Sequence, residues 1–264
     1  MDRFDRKQNI IAIIQARMSS SRLPGKVLAD IGGKPMLARV VDRTRRTKLV
    51  NAVVVATTTD ASDDPVETYC RENQIACFRG DPFDVLDRYY QAAKKFQADV
   101  IVRLTADCPV IDPQVIDQVI DEFFRKQADF AANRLPPPWK RTYPIGLDTE
   151  VATFAALERA WTEADKPYER EHVMPYLYAE PGRFKTVLVN TDPDYGEMRW
   201  TVDTRQDLEA LRRIFAAFDN RDDFSWLEVL ELVKLQPEIM EINANITHKK
   251  FDDVDQRFLQ KPLE

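Results

Sequence analysis

The stretch IIAIIQARMSSSRLPGKVL, residues 10–28, decides the fold, because an apolar strand runs directly into a polar, basic loop. Residues 10–15 have the length and composition of a buried strand. The loop that follows carries Arg17, Arg22 and Lys26, with three consecutive serines between the first two of these. A chain reversal needs no such charge, so this loop is a candidate for binding an anion.

Further apolar runs of strand length recur along the chain, and segments with helical spacing separate the early ones. The predicted strands are residues 10–15, 52–58, 76–80, 99–105, 128–133, 184–190 and 198–203. Helical spacing of apolar residues occurs in 35–46, 81–96, 112–124 and 225–235. This alternation predicts an α/β fold with a mainly parallel, Rossmann-like sheet flanked by helices. The last two strands, joined by a short turn, predict a smaller antiparallel excursion.

Composition restricts the class of protein. The 264 residues carry a net charge of −6, and the pI near 5.2 argues against a general nucleic-acid surface. No apolar run approaches the roughly 18 residues of a membrane span, and the charged N-terminus is not typical of a secretion signal. Three cysteines without metal-ligand spacing suit a reducing cytoplasm, and two histidines are too few for a histidine-rich metal site.

The basic loop is expected at the ligand-binding edge of the sheet. Ligands of open α/β sheets bind beyond the carboxyl ends of the strands, where this loop lies. Guanidinium groups and an ammonium group suit a polyphosphate, whereas a solvated basic loop is the plain structural alternative. The chain contains neither G-x-x-x-x-G-K-[ST] nor G-x-G-x-x-G, so a P-loop or a dinucleotide site has little support.

Two aspartates end apolar strands and are candidates for a metal site. Asp107 ends the strand in LTADCP, and Asp203 ends the one in RWTVD. A triphosphate beside these carboxylates requires a cation between them, and Mg²⁺ commonly binds one or two carboxylates plus phosphate oxygens. Turn or capping roles are the structural alternative. Thr204 and Asp207 predict a capping box that opens the next helix, so Asp207 is assigned a structural role.

Several motifs together resemble a known family. They are IIQARMSSSRLPGKVL, FRGDPFDVLDRYYQAA, VRLTADCPVIDP, GLDTEV, EREHVMPYLY and RWTVDTRQDLE. In this order they resemble the cytidylyltransferases of the spore-coat polysaccharide SpsF type, which are relatives of the CMP-sialate and CMP-Kdo synthetases. The resemblance covers roughly residues 9–215. It implies a nucleotidyltransferase (GT-A-like) domain over 1–220, with a nucleotide half at 9–132 and an acceptor half at 133–203, followed by a C-terminal helical tail at 221–264.

The resemblance also implies roles for individual residues. The triphosphate site and catalytic groups would be Arg17, Arg22 and Lys26, and the nucleotide would further contact Gln15, Ala16, Met18, Gly80, Arg88 and Asp107. Asp107 and Asp203 match the carboxylates that bind Mg²⁺. Glu150, Arg170 and His172 fall in the acceptor half, although surface structure is an equal alternative for these three.

The expected reaction is a Mg²⁺-dependent transfer of CMP from CTP to an acidic or phosphorylated sugar, with release of pyrophosphate, in the cytoplasm. Its partners are CTP and the sugar, with no nucleic acid and no membrane, and the resemblance is compatible with a homodimer. The first alternative is a GT-A-like glycosyltransferase that uses a sugar nucleotide, for which the acids of DPD (192–194) are candidate metal ligands. The second is a non-catalytic nucleotide-binding subunit.

Overall fold

Seven strands form one sheet in the computed structural model, which describes residues 8–246. The order across the sheet is β5-β4-β1-β6-β8-β7-β9. The strands are β1 (Ile10–Gln15), β4 (Ala52–Thr58), β5 (Ala76–Gly80), β6 (Val100–Thr105), β7 (Phe130–Ala132), β8 (Glu150–Thr153) and β9 (Thr186–Leu188). A two-stranded hairpin of β2 (Asp30–Ile31) and β3 (Lys34–Pro35) lies apart from this sheet.

The half of the sheet that contains β1 is entirely parallel, as the sequence predicted. β1 pairs with β4 on one side and β6 on the other, and β4 pairs with β5. The chain therefore moves outward from β1 to β5 and then returns to add β6 on the opposite side of β1. This reversal creates a switch point beyond Gln15 and Thr105, where open α/β sheets bind ligands.

The antiparallel part of the sheet differs from the prediction. It is β8, which runs antiparallel to β6 and β7, whereas β9 runs parallel to β7. The prediction of a strand at 198–203 is wrong, because this segment makes only an isolated bridge, between Ile145 and Arg199. The preceding turn folds onto another loop, with the Tyr195 amide donating to the Thr142 carbonyl, so the chain does not return alongside β9.

Helices cover both faces of the sheet, and the predicted helices are confirmed. They are α1 (Met36–Thr44), α2 (Asp64–Glu72), α3 (Val85–Lys95), α4 (Pro113–Arg125), α5 (Phe154–Glu163), α6 (Pro167–His172), α7 (Pro175–Tyr178), α8 (Arg205–Ala217), α9 (Trp226–Leu235) and α10 (Glu238–Glu241). The capping box of Thr204 and Asp207 opens α8 as predicted. The described part of the predicted tail consists of α9, α10 and the turns after them, and residues 247–264 lie outside the described residues.

Alternation along β1 divides the core between the two faces. Ala12 and Ile14 pack with α1, α2 and α4, whereas Ile11 and Ile13 pack with α3 and α5. A third cluster joins α8 and α9 around the fully buried Trp200. None of the helices between residues 8 and 246 has the length and apolar content that a bilayer crossing requires.

Candidate functional site

A cavity of about 260 Å³ opens at the switch point beyond β1 and β6. One wall comes from the basic loop after β1, a second from the turn after β6, and a third from α3, α6 and the segment before α8. The lining residues are Gln15, Ala16, Arg17, Ser20, Ser21, Arg22, Lys26, Val27, Val85, Arg88, Thr105, Ala106, Asp107, Glu171, His172 and Asp203. Residues far apart in sequence thus meet at the edge where the sheet topology predicts a ligand site.

The basic loop is closed by its own backbone. The Gly25 amide donates to the Met18 carbonyl at 2.8 Å, and Gly25 has φ +74°, a conformation that glycine adopts without strain. The Met18 amide in turn donates to Asp63 Oδ1 at 2.6 Å, which fastens the loop to the segment after β4. Met18 therefore shapes the loop without lining the cavity.

Lys26 lies between the two aspartates that the sequence singled out. Its Nζ donates to Asp107 Oδ2 at 2.8 Å, to Asp203 Oδ1 at 3.0 Å and to the Val202 carbonyl at 2.7 Å. These three bonds use all three hydrogens of the ammonium group. Burial alone would lower the pKa of Lys26, but the two carboxylates outweigh it and raise the pKa above 10.5. Lys26 is therefore a charged bridge between the carboxylates in this conformation.

Asp203 is surrounded by cations. Besides Lys26 on Oδ1, its Oδ2 accepts from Arg22 Nη2 at 2.8 Å and from Arg199 Nη2 at 2.8 Å. Burial alone would raise the pKa of Asp203, but Lys26 and Arg199 hold it well below its usual value of 3.8. Asp203 is consequently ionised throughout the neutral pH range.

Arg88 brings a buried positive charge to the opposite wall. Its side chain is 2 % exposed, and its Nη1 donates to the Asp81 carbonyl at 2.6 Å. Its Nε is buried without a hydrogen-bond partner, and no carboxylate forms an ion pair with it in the part of the chain that the structure describes. Burial lowers the pKa of Arg88 to about 10, so the guanidinium is still charged at neutral pH. Such a charge is suited to an anionic ligand.

Gly80 does not line the cavity but lies against Arg88, which does. A Cβ on Gly80 would lie 2.9 Å from Arg88 Cγ and 2.9 Å from Phe78 Cε1. Gly80 is not among the lining residues. Its place in the structure is therefore to leave room for the stem of Arg88.

Gln15 is held by an ion pair beneath the cavity. Arg103 on β6 donates to Gln15 Oε1 at 3.1 Å and pairs with the carboxylate of Glu150 on β8. Glu150 is 4 % exposed and does not line the cavity. Its charge is compensated by Arg103 inside the sheet, and Arg103 links it to the lining residue Gln15.

Helix α6 presents Glu171 and His172 to the cavity, while the neighbouring Arg170 points elsewhere. Arg170 binds the Asp84 carboxylate with Nε at 3.0 Å and the Trp161 carbonyl with Nη1 at 2.7 Å, which ties α6 to the start of α3. After His172 the chain adopts φ +71° and ψ −56° at the buried Val173, and the Met174 amide donates to the His172 carbonyl. This is a strained γ-turn, which is rare for a β-branched residue.

Asp107 and Asp203 fit a divalent cation shared with a phosphate ligand. Asp107 Oδ2 binds Lys26, whereas its Oδ1 accepts only a long contact of 3.7 Å from Cys108 Sγ. Mg²⁺ is commonly held by one or two carboxylates together with substrate phosphates, which matches this donor set. Between residues 8 and 246 no group of three or more acidic, histidine or cysteine side chains forms a metal site made of protein alone.

The second acidic motif that the sequence raised lies elsewhere. Asp194 binds Lys140 and accepts from the Gly196 amide, and neither Asp192 nor Asp194 lines the cavity. The structure therefore gives no support to DPD as a metal motif of this cavity.

The structure brings most of the predicted residues to one cavity. Those that line it are Gln15, Ala16, Arg17, Arg22, Lys26, Arg88, Asp107, His172 and Asp203, and those that do not are Met18, Gly80, Glu150 and Arg170. The sequence did not single out Thr105 or Glu171 as lining residues. Thr105 could have been expected from its position at the end of a central strand, whereas helix phase alone does not reveal Glu171.

Comparisons with known proteins agree with this geometry. The family model described as Cytidylyltransferase matches residues 11–253. The spore coat polysaccharide biosynthesis protein SpsF of Bacillus subtilis is 30% identical over 237 residues, which cover 87% of this chain and 96% of that protein.

Solved structures give the same result. A cytidylyltransferase from Leptospira borgpetersenii is 35% identical with a TM-score of 0.83, over 92% of this chain and 100% of the other. A CMP:2-keto-3-deoxy-manno-octonic acid synthetase complexed with CTP shares the fold, with a TM-score of 0.58 at 20% identity over 80% of this chain and 99% of the other. With a family model that spans most of the chain and relatives that align over nearly their full length, this protein belongs to the cytidylyltransferase family.

Proposed function

We propose that this cytidylyltransferase transfers CMP from CTP to an acidic or phosphorylated sugar and releases pyrophosphate, in a reaction that depends on Mg²⁺. The observation that carries the proposal is the cavity at the switch point, where a cationic loop faces two carboxylates. The solved synthetase with the same fold was complexed with CTP, which supports CTP as the nucleotide.

The basic residues would bind the triphosphate and stabilise charge on the departing pyrophosphate. Arg17 and Arg22 line one wall and Arg88 another, so phosphate oxygens between them would meet guanidinium groups from two sides. Lys26 would neutralise the two carboxylates, which otherwise repel the nucleotide. Such positioning and charge neutralisation carry phosphoryl-transfer reactions of this kind.

Asp107 and Asp203 would hold the cation. Mg²⁺, when bound, neutralises phosphate charge and polarises the phosphorus that is attacked. In the present arrangement Arg22 and Lys26 occupy the carboxylate oxygens. Transfer of Arg22 from Asp203 to the triphosphate would therefore open one position on Asp203 Oδ2 for the cation, while Arg199 remains bound to the same oxygen.

The acceptor would enter on the side of α6. Glu171 and His172 line this side, and they belong to the half of the chain, 133–203, that we assign to the acceptor. The residues from Gln15 to Asp107 line the other side, within the nucleotide half 9–132. An acceptor oxygen between the two halves would be placed for in-line attack on the α-phosphorus, opposite the departing pyrophosphate.

Nucleotide binding is tested by melting the protein with CTP, UTP, ATP or GTP, each with and without Mg²⁺. CTP with Mg²⁺ is expected to raise the melting temperature most, because a ligand at a hundred times its Kd adds about 2.7 kcal/mol of stability. Arg22→Met should abolish most of this shift. The matched control is Arg71→Met, because Arg71 is an exposed arginine on α2 whose guanidinium donates to the Thr68 hydroxyl, and this variant should behave as wild type.

Turnover is tested with CTP, Mg²⁺ and a panel of sugar acids and sugar phosphates, followed by detection of pyrophosphate. Pyrophosphate formed with an acceptor supports the proposal and names the acceptor class. A nucleoside diphosphate released from a sugar nucleotide would instead establish glycosyl transfer. If none of the four nucleotides changed the melting temperature, the assignment of the cavity as a nucleotide site would be refuted.

A further inference from the structure

A chain of buried hydrogen bonds leads from the C-terminal segment to the carboxylates of the cavity. Asn243 lies in the turn after α10 and is 3 % exposed. Its Nδ2 donates to Asp207 Oδ1 at 2.9 Å. Asp207, which is fully buried, accepts from Arg199 Nε at 2.9 Å and from Nη2 at 3.0 Å. Arg199 Nη2 then donates to Asp203 Oδ2 at 2.8 Å.

Arg199 can serve two carboxylates only if its guanidinium is fixed in one plane. Asp207 fixes it, because the two oxygens of this carboxylate take one hydrogen each from Nε and Nη2, and the second hydrogen of Nη2 is directed at Asp203. The Asp207 carboxylate must therefore have one orientation, and a rotation about its last bond would move Arg199 away from Asp203.

Asn243 adds a hydrogen bond to the Asp207 carboxylate from the segment after α9, far along the chain from its other donors. The other donors to Asp207, the amides of Asp203 and Thr204 and the Thr204 hydroxyl, all reach Oδ2. Oδ1 accepts from Arg199 and from Asn243. A neutral amide at this position adds a donor without adding a charge that would compete for Arg199.

The segment that carries Asn243 is itself anchored. Ile239 of α10 is 4 % exposed and packs in the cluster between α8 and α9. The Ile246 amide donates to the Asn243 carbonyl at 3.0 Å, and Asn243 Nδ2 also reaches the Arg199 carbonyl at 3.4 Å. The turn after α10 is therefore built onto the same buried network that ends in the cavity.

We infer that Asn243 is a positioning residue of the active site, which acts through Asp207 and Arg199 to fix the Asp203 carboxylate for the cation and the triphosphate. The inference rests on the proposed function, since it takes Asp203 as the residue that would hold Mg²⁺. It assigns the segment after α9 a part in nucleotide binding, although none of its described residues, 236–246, lines the cavity.

The test measures CTP affinity by calorimetry with and without Mg²⁺, for the full chain and its variants. Asn243→Ala is expected to weaken Mg²⁺-dependent CTP binding about tenfold, as loss of outer partners of metal ligands commonly does. CTP binding without Mg²⁺ should change little. Asn245→Ala, an exposed asparagine two residues on, is the matched control and should bind as wild type does.

A second variant separates hydrogen bonding from packing. Asn243→Asp keeps the shape of the side chain but cannot donate to Asp207 when ionised, so it should lose at least as much Mg²⁺-dependent affinity as Asn243→Ala. Each variant is measured well below its own melting temperature, with its fold verified by circular dichroism. Wild-type Mg²⁺ dependence in both variants would overturn the inference and leave the proposed function intact. Failure of the wild-type chain to bind CTP with Mg²⁺ would instead overturn the proposed function.

Discussion

At the residue scale, Lys26 is the residue on which the charges of the cavity depend. Replacement by methionine keeps most of its volume but leaves Asp107 without its cation and Asp203 with only Arg22 and Arg199. We expect Lys26→Met to lower the free energy of unfolding by about 3 kcal/mol, because breaking a buried ion pair leaves an uncompensated charge. CTP affinity should fall as well, since the exposed carboxylates would repel the triphosphate.

Lys34 provides the control for this variant. It also lies between two aspartates, Asp42 and Asp222, but its side chain is 46% exposed. Lys34→Met should therefore change stability by no more than about 1 kcal/mol, as is usual for surface pairs. Chemical denaturation measures both variants, and equal losses in the two would contradict the role assigned to burial.

Gly80 offers a second prediction at this scale. A methyl group there would lie 2.9 Å from Arg88 Cγ, so Gly80→Ala should displace Arg88 and weaken CTP binding severalfold. In an Arg88→Ala background the same change should have little further effect on CTP affinity, because the contact with Cγ is gone and the remaining close contact, with Phe78 Cε1, involves no residue that lines the cavity. Calorimetric titration measures CTP affinity for wild type, the two single variants and the double variant. If the losses of binding free energy add in the double variant, Gly80 acts independently of Arg88.

At the scale of elements, the turn after α6 stores strain beside the cavity. Val173 is fully buried yet adopts φ +71°. In this conformation glycine is unstrained, so Val173→Gly should be at least as stable as Val173→Ala. The usual order should hold at the buried Val54 of β4, where alanine should be the milder change. Thermal melts of the four variants measure these differences. If the alanine variant were the more stable one at both positions, the result would argue against strain at Val173.

Elements with a strong apolar period could be predicted from the sequence, and those held by long-range contacts could not. The strands 10–15, 52–58 and 76–80 were predicted with their observed bounds. β8 has only four residues and follows a proline-rich loop, so no period marks it. Segment 198–203 has the apolar pattern of a strand, but its Trp200 and Val202 amides bond to Ile145 and Asp107.

In the candidate site, too, the residues marked by a local sequence pattern could be predicted, and those placed by long-range contacts could not. Arg17, Lys26 and Asp107 were predicted because they follow central strands, and the topology brings the ends of those strands together. Nothing local indicates that Lys26 has all its donors engaged or that Asn243 reaches Asp207. Both are consequences of distances across the fold, which a single sequence does not contain.

At the scale of the whole molecule, the charge network predicts how stability depends on pH. The pKa values of Asp203 and Asp207 are lowered, because contacts with arginine and lysine outweigh the effect of burial. The two ionised carboxylates therefore stabilise the fold at pH values above 3.8, their usual pKa. Their contribution is lost as the pH falls below about 4. Lys26 has a raised pKa, so its contribution is present below 10.5 and is lost as the pH rises beyond that value.

The network should therefore contribute a constant stabilisation between about pH 4 and pH 10. Denaturant unfolding across acid pH measures this, and Asp203→Asn should show a shallower acid loss than wild type. Asp194→Asn serves as the control, because the pair of Asp194 with Lys140 is exposed to solvent. If Asp203→Asn lost unfolding free energy at acid pH as steeply as wild type, the contribution assigned to Asp203 would be contradicted.

Because all three N–H donors of Lys26 are bonded to protein oxygens, the cavity should distinguish a single ion from a nucleotide that binds together with its metal ion. In this conformation the carboxylates at and behind one cavity wall have counter-ions from the protein itself, with three cations matched to three carboxylates: Lys26, Arg22 and Arg199 with Asp107, Asp203 and Asp207. A lone anion can draw Arg22 away only by removing one cation from Asp203, and a lone metal ion that displaces Lys26 from Asp107 removes one carboxylate from the lysine. An anion and a cation that arrive together replace both sets of partners at once. Inorganic phosphate alone can bind at Arg88, which has no carboxylate partner among residues 8–246, and should therefore leave the pairs of Lys26 and Arg22 with their carboxylates in place.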